Sequence, residues 1–304
     1  MTTQAKQNAW LGGILVGLIV LAVLYQGPYR QWQVSRSEPI NVFSGIQTDD
    51  INRMTIEVNG KTIELIKKDN GWEFPDQAHA FPLEQSFVVQ AIDRIKAAAK
   101  AKVQLVSTKK EKQSEFGVGS EGSTVKLFQD NKEKVAVVIG STAKDYVSTY
   151  LRPIKDDNTY KLDGISLAVF YTPDWRSKEI VKFDVKSINN ARLQTPKSEI
   201  KLTKTGEDWF AGKVKLNKIK VESLLSTLSN LFAADIPEQK FEPSGLAKSS
   251  LIIQVGGKDA NITVMVGNKN SKGEFYVKTG DSDRIYLIGG GDQASLSKNL
   301  NELK

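Results

Sequence analysis

The second half of this 304-residue sequence repeats the first, and that constrains the fold more than any single motif does. Ile63-Glu64-Leu65 recurs as Ile200-Lys201-Leu202, and Gly71-Trp72-Glu73-Phe74 as Asp208-Trp209-Phe210. Phe116-Gly117-Val118 becomes Ser244-Gly245-Leu246, and VAVVIG ending at Gly140 becomes ITVMVG ending at Gly267. Tyr146-Val147 then answers to Tyr276-Val277, and Tyr160-Lys161-Leu162 to Ile285-Tyr286-Leu287. Because the matches keep one order throughout, the chain is read as one supersecondary unit used twice.

The content of that unit follows from periodicity. MTIEVNGKTIELIKKDNGWEF alternates apolar and polar residues as two strands about Asn59-Gly60, then a third through Trp72 and Phe74. From Leu83 to Ala99, Phe87, Val88, Ala91, Ile92 and Ile95 recur at helical spacing, with Glu84, Asp93, Arg94 and Lys96 off that face. Strands are expected at Ser123–Gln129, Lys134–Ile139, Tyr146–Arg152 and Thr159–Leu162, and the second helix over Val221–Phe232. Trp72 and Trp209 stand at matching places, which predicts core packing for both. Hydrophobic residues make up 40% and charged residues 25%, too apolar a balance for a disordered chain.

Ahead of the repeats lies AWLGGILVGLIVLAVLY, Ala9 to Tyr25, without charge or proline. At ~1.5 Å per residue it spans roughly 26 Å, enough for a hydrocarbon core if the flanks help. Trp10 at one end and Tyr25, Tyr29 and Trp32 at the other suit the headgroup level, and Gln26-Gly27-Pro28 stops the helix. A cleaved signal peptide is disfavoured because only Lys6 charges the n-region and small residues spaced for cleavage are missing. The expected fold class is therefore α+β, an N-terminal transmembrane helix followed by two tandem repeats of an antiparallel sheet with an amphipathic helix. The expected bounds are a tail at 1–8, an anchor at 9–29, a linker at 30–42, and repeats at 43–183 and 184–304. Gly13 and Gly17 form a GxxxG spacing, the candidate face for docking against another helix. Lys6 on one side faces Arg30 and Arg36 on the other, so charge alone does not orient the anchor.

The order of a strand pair, a W-x-F strand, an amphipathic helix, a Phe/Ser-Gly-Val/Leu linker, a strand ending in Ile/Val-Gly and a closing Tyr-x-Leu strand resembles the family DUF4340. The phrase Asp174-Trp175-Arg176-Ser177-Lys178-Glu179-Ile180-Val181-Lys182-Phe183-Asp184 is similar to the one joining units in that family. The resemblance covers about Phe43 to the end, both copies included, and implies an accessory subunit of an ABC-type transporter, including gliding and surface-export systems of the bacterial cell envelope. It implies a permease and an ATPase as partners, a single pass through the inner membrane, an amino terminus in the cytoplasm and sheet domains in the periplasm. It brings no catalytic residues and no cofactor.

Chemistry is correspondingly sparse. With no cysteine and His79 as the only histidine, the usual zinc ligands are missing, and no Gly-Lys-Ser/Thr phosphate loop marks an ATPase. Asp49-Asp50 and Asp156-Asp157 read as turns, and Gly289-Gly290-Gly291 as a flexible connection. The net charge of +7 is mild. Lys96, Lys100, Lys102, Lys109, Lys110 and Lys112 form a basic stretch, the candidate contact for an anionic surface, without the interleaved aromatics of a nucleic-acid binder. Lys213, Lys215, Lys218 and Lys220 form a second such stretch. The expected role is a non-enzymatic accessory subunit, with an envelope polymer- or lipid-binding module as the alternative and an unrecognised hydrolase behind both.

Overall fold

The computed structural model describes residues 14, 15, 17, 18, 20, 21, 41–69, 71–75, 81–258 and 260–304. Ile14, Leu15, Gly17, Leu18, Val20 and Leu21 are helical, and the remainder of the anchor expected at 9–29 lies outside the described residues. Among the described residues no helix is long and apolar enough to cross a membrane. The chain divides into two compact units, one holding Gln85–Trp175 with the residues up to Asp76, the other holding Gln77–Glu84 with Arg176–Lys304.

In the first unit the elements run β1 (Arg53–Val58), β2 (Lys61–Lys68), β3 (Gly71–Glu73), α1 (Gln85–Ala98), β4 (Val103–Ser107), β5 (Ser123–Gln129), β6 (Lys132–Thr142), β7 (Thr149–Pro153) and β8 (Thr159–Leu162). The strands form one sheet in the order β3-β2-β1-β5-β6-β7-β8-β4. Asn59 and Gly60 both take positive φ, 52° and 70°, the backbone that a two-residue hairpin matched to strand twist demands. Alternation sends Met54, Ile56 and Val58 of β1 and Ile63 and Leu65 of β2 to the buried face, where α1 contributes Val88, Ala91, Ile95 and Ala98.

The second unit runs β9 (Glu179–Lys182), β10 (Ile188–Gln194), β11 (Glu199–Thr205), β12 (Asp208–Ala211), β13 (Val214–Lys215), α2 (Lys218–Ser229), β14 (Asn230–Phe232), β15 (Leu251–Gly257), β16 (Asn261–Lys269), β17 (Phe275–Thr279), β18 (Tyr286–Ile288), α3 (Gly290–Leu296) and α4 (Leu300–Leu303). Its main sheet is ordered β13-β12-β11-β10-β15-β16-β17-β18, and β9 pairs with β14 in a separate ribbon. From β3 to β8 and from β12 to β18 the two sheets share one neighbour order, so the architecture is α+β with antiparallel sheets. Register agrees as well: Met54 lies opposite Leu65 and Leu127, and Ala191 opposite Leu202 and Val255.

Several sequence expectations shift. The strand expected from Tyr146 begins at Thr149, because Tyr146 sits in the preceding turn. The counterpart of Tyr276-Val277 is therefore Tyr150-Leu151, since Leu151 lies opposite Tyr160 as Val277 lies opposite Tyr286. Tyr160-Lys161-Leu162 accordingly matches Tyr286-Leu287-Ile288, one residue on from the expected alignment. The helix expected to reach Phe232 ends at Ser229, and its last three residues become β14. Gly289-Gly290-Gly291 is no loose connection but opens α3, whose Leu296 is fully buried. Trp209 is only 1% exposed, whereas Trp72 is half-buried at the short β3 edge.

The Phe/Ser-Gly motif and the strand-ending glycine turn out to be one contact. A 3-10 turn, Lys110–Phe116 in one unit and Glu242–Ser244 in the other, ends on a left-handed glycine, Gly117 at φ 68° and Gly245 at φ 67°. A Cβ on Gly140 would lie 2.4 Å from the Phe116 carbonyl oxygen, and one on Gly267 would lie 2.1 Å from that of Ser244. Each pair of motifs is thus a place where two backbones touch, which only glycine permits.

Candidate docking surface

One end of the first unit carries several exposed groups. The described chain enters there: Asn41 Nδ2 donates to the carbonyls of Ala98 at 2.8 Å and Ala101 at 3.1 Å, while its Oδ1 accepts from the Phe43 amide at 2.9 Å. This side chain satisfies carbonyls at the end of α1 that a helix leaves without partners. β4 starts directly afterwards, with Val103 opposite Leu162, Leu162 opposite Thr149, and Thr149 opposite Thr142. Asn41, the starts of β4 and β7, and the β6–β7 tip therefore share one end of the sheet.

The tip is a latched loop. The Asp145 carboxylate accepts from the Val147 amide at 3.1 Å, the Ser148 amide at 2.8 Å and the Ser148 hydroxyl at 2.6 Å. These bonds, the Ser148 hydroxyl foremost, hold its pKa down to about 2. Lys161 Nζ lies 3.8 Å from Asp145 and 3.0 Å from Asp163, tying the loop to the end of β8. Between the latch atoms, Tyr146 has a left-handed backbone at φ 61° and is 86% exposed, and Val147 beside it is 53% exposed. Tyr146, expected in a strand, lies instead in a turn, for which the Asp145-x-x-Ser148 spacing is the local signal.

The six lysines of the candidate basic stretch do not form one patch. Lys96, Lys100 and Lys102 lie at the Asn41 end, exposed and without an acidic partner among the described residues. Lys109, Lys110 and Lys112 follow Ser107, which pairs with Thr159 at the far end of β4. Of these, Lys110 lies 3.8 Å from Asp157 and Lys112 3.6 Å from Glu115. In the second stretch Lys215 and Lys218 are each 2.7 Å from a carboxylate, Asp208 and Glu207. Gly17 has no heavy atom within 4 Å of where a Cβ would stand, and Gly13 lies outside the described residues.

The second unit carries a groove of about 660 Å³ lined by Gln254, Asn261, Thr263, Met265, Arg284 and Tyr286 among others. Burial raises the Tyr286 phenol above its ordinary range. The carboxylate pairs serve turns: Asp156 accepts from the Asn158 amide at 3.0 Å and from the Tyr160 hydroxyl at 2.9 Å, and Asp49-Asp50 closes a 3-10 turn. His79 lies outside the described residues, and among those described no cluster of three or more His, Asp or Glu could hold a metal ion.

The family model described as a domain of unknown function, DUF4340, matches residues 72–249 and, overlapping them, residues 211–304. No curated protein and no solved structure matches the chain.

Proposed function

This chain belongs to the DUF4340 family, and from that premise we propose that it is a non-catalytic accessory subunit of an ABC-type transport or surface-export complex. Residues 9–29 anchor it in the inner membrane with the amino terminus in the cytoplasm, and both sheet units work by protein contacts on the periplasmic side. The observation that carries this reading is where the repeated residues go. Gly117 with Gly140, Gly245 with Gly267, and buried Trp209 all serve packing, so what the two copies have in common is scaffold. A duplicated scaffold supplies surfaces for partners.

The test is a mild-detergent pull-down of the full chain. Co-purification of an ABC-type permease and ATPase, weakened in Gly13→Leu/Gly17→Leu, supports the role and assigns the glycine face to helix docking. Recovery of the chain alone overturns it. The polar groove of the second unit favours one second reading, a module that binds an envelope polymer. Under that reading Thr263→Trp, which fills the groove, abolishes co-sedimentation with isolated envelope polysaccharide while the pull-down is unchanged.

A further inference from the structure

We propose that the β6–β7 tip of the first unit, Tyr146-Val147, rests in the lipid interface of the membrane that anchors the chain, with Lys100, Lys102 and Lys144 on anionic headgroups. This rests on the anchored reading above. Four observations on one end of the unit carry it.

The first is exposure of apolar surface at a projecting point: Tyr146 at 86% and Val147 at 53% sit side by side on a hairpin tip. A tyrosine ring with its hydroxyl in water suits the headgroup level, as do the aromatic residues flanking the apolar run itself. The second is rigidity. Asp145 and Lys161 hold the loop backbone from both sides, so contact costs ordering of the exposed side chains and not of the loop itself. The third is charge: Lys100, Lys102 and Lys144 are exposed with no acidic partner among the described residues, whereas Asp145 and Asp163 are engaged by Lys161. The fourth is tethering. Asn41 is held at this same end, and the eleven positions 30–40 of the sequence, even at full stretch, span at most roughly 40 Å from Tyr29 at the end of the apolar run. The end of the unit nearest the tether is thus the end that shows a ring, a valine and three free ammonium groups. A lipid surface with anionic headgroups meets all three chemistries at once.

Because the chain has no cysteine, a single one can be labelled anywhere. Full-length protein carrying Val147→Cys, or Lys132→Cys at the start of β6, the other end of the same strand, is labelled with an environment-sensitive dye. It is then reconstituted into phosphatidylcholine vesicles with and without phosphatidylglycerol. Flotation with the vesicles after an alkaline wash tests the proposed anchor independently of the tip. The expected result is flotation, a blue-shifted dye at 147 quenched by headgroup-level nitroxide lipid, and no quenching at 132. Quenching at 147 rises with phosphatidylglycerol and falls in Lys100→Glu/Lys102→Glu/Lys144→Glu, about five-fold in the contact equilibrium per lysine. Flotation with equal, weak quenching at both sites overturns the lipid contact and leaves the anchor standing, pointing the tip to a protein partner. Failure to float overturns the anchored reading and the lipid contact together.

Discussion

The two units close the same hairpin at different conformational cost. In the second, the β16–β17 tip puts its left-handed residue on Gly273 at φ 89°, and the Asn270 side chain folds the loop by accepting from the Lys272 and Glu274 amides, both at 2.9 Å. In the first, Asp145 plays the part of Asn270, and the left-handed backbone falls on Tyr146 at φ 61°. Glycine takes that conformation freely, whereas a residue with a Cβ gives up about 1–2 kcal/mol. Deeper in, the copies do not diverge: Gly140 and Gly267 both receive the carbonyl of a 3-10 turn at a distance no side chain tolerates. Backbone-on-backbone contacts are thus held to one solution in both copies, while the tips are free to differ. The first tip thus presents an exposed, left-handed tyrosine where the second has a glycine.

The largest effects test the part of the comparison that is alike. Gly140→Ala and Gly267→Ala each drive a methyl into a backbone carbonyl, and each is expected to destabilise its own unit by about 4 kcal/mol. Denaturant unfolding followed by hydrogen exchange in each unit separately is the measurement; a mild effect in one copy alone breaks the equivalence. A step smaller is the trade of volume between sheet and helix. The first unit buries Met54 on β1 and Ala91 on α1, and the second buries Ala191 on β10 and Leu224 on α2. Leu224→Ala should cost the second unit about 3 kcal/mol, and adding Ala191→Met should return about 1 kcal/mol of it. Strict additivity in that double-mutant cycle would show that the two positions do not share one cavity.

Much of this scaffold was legible beforehand, for reasons that can be named. Alternation fixed β1, β2, β5 and the Asn59-Gly60 turn because each strand has one wet and one buried face, and α1 because its apolar residues fall on one stripe. β4 stayed hidden because lysines flank a five-residue edge strand whose only ladder partner, β8, is distant in sequence. The false match of Tyr146-Val147 to Tyr276-Val277 arose from residue identity, where the ladder aligns Leu151 with Val277. The docking end was illegible for a related reason. Asn41, Lys102 and Tyr146 come to one end of the sheet through a side-chain hydrogen bond and three strand pairings, and no local pattern announces which lysines of a run end up together.

The tips themselves give a smaller effect of opposite sign in the two copies. Tyr146→Gly removes the left-handed penalty but adds chain entropy to the unfolded state, leaving a gain of about 0.5–1 kcal/mol. Gly273→Tyr should lose about 1–2 kcal/mol. Thermal melts of the two variants are the check. A loss on Tyr146→Gly would mean that the ring is held by contacts within its own unit and is not displayed for a partner.

The smallest effect concerns acid. Asp145 has its folded-state pKa lowered to about 2 from 3.8, so the latch contributes its full stabilisation above the unfolded value and loses it as pH falls through the folded one. The second tip is folded by a neutral acceptor, the Asn270 amide oxygen. Between about pH 4 and pH 2 the Val147 and Ser148 amide resonances should therefore move toward unfolded positions while those of Lys272 and Glu274 hold. Asp145→Asn, which keeps an acceptor but cannot titrate, should make the first tip as indifferent to acid as the second. If the first tip still opens in that variant, protonation of Asp145 is not what opens it, and the acid contrast between the two tips falls.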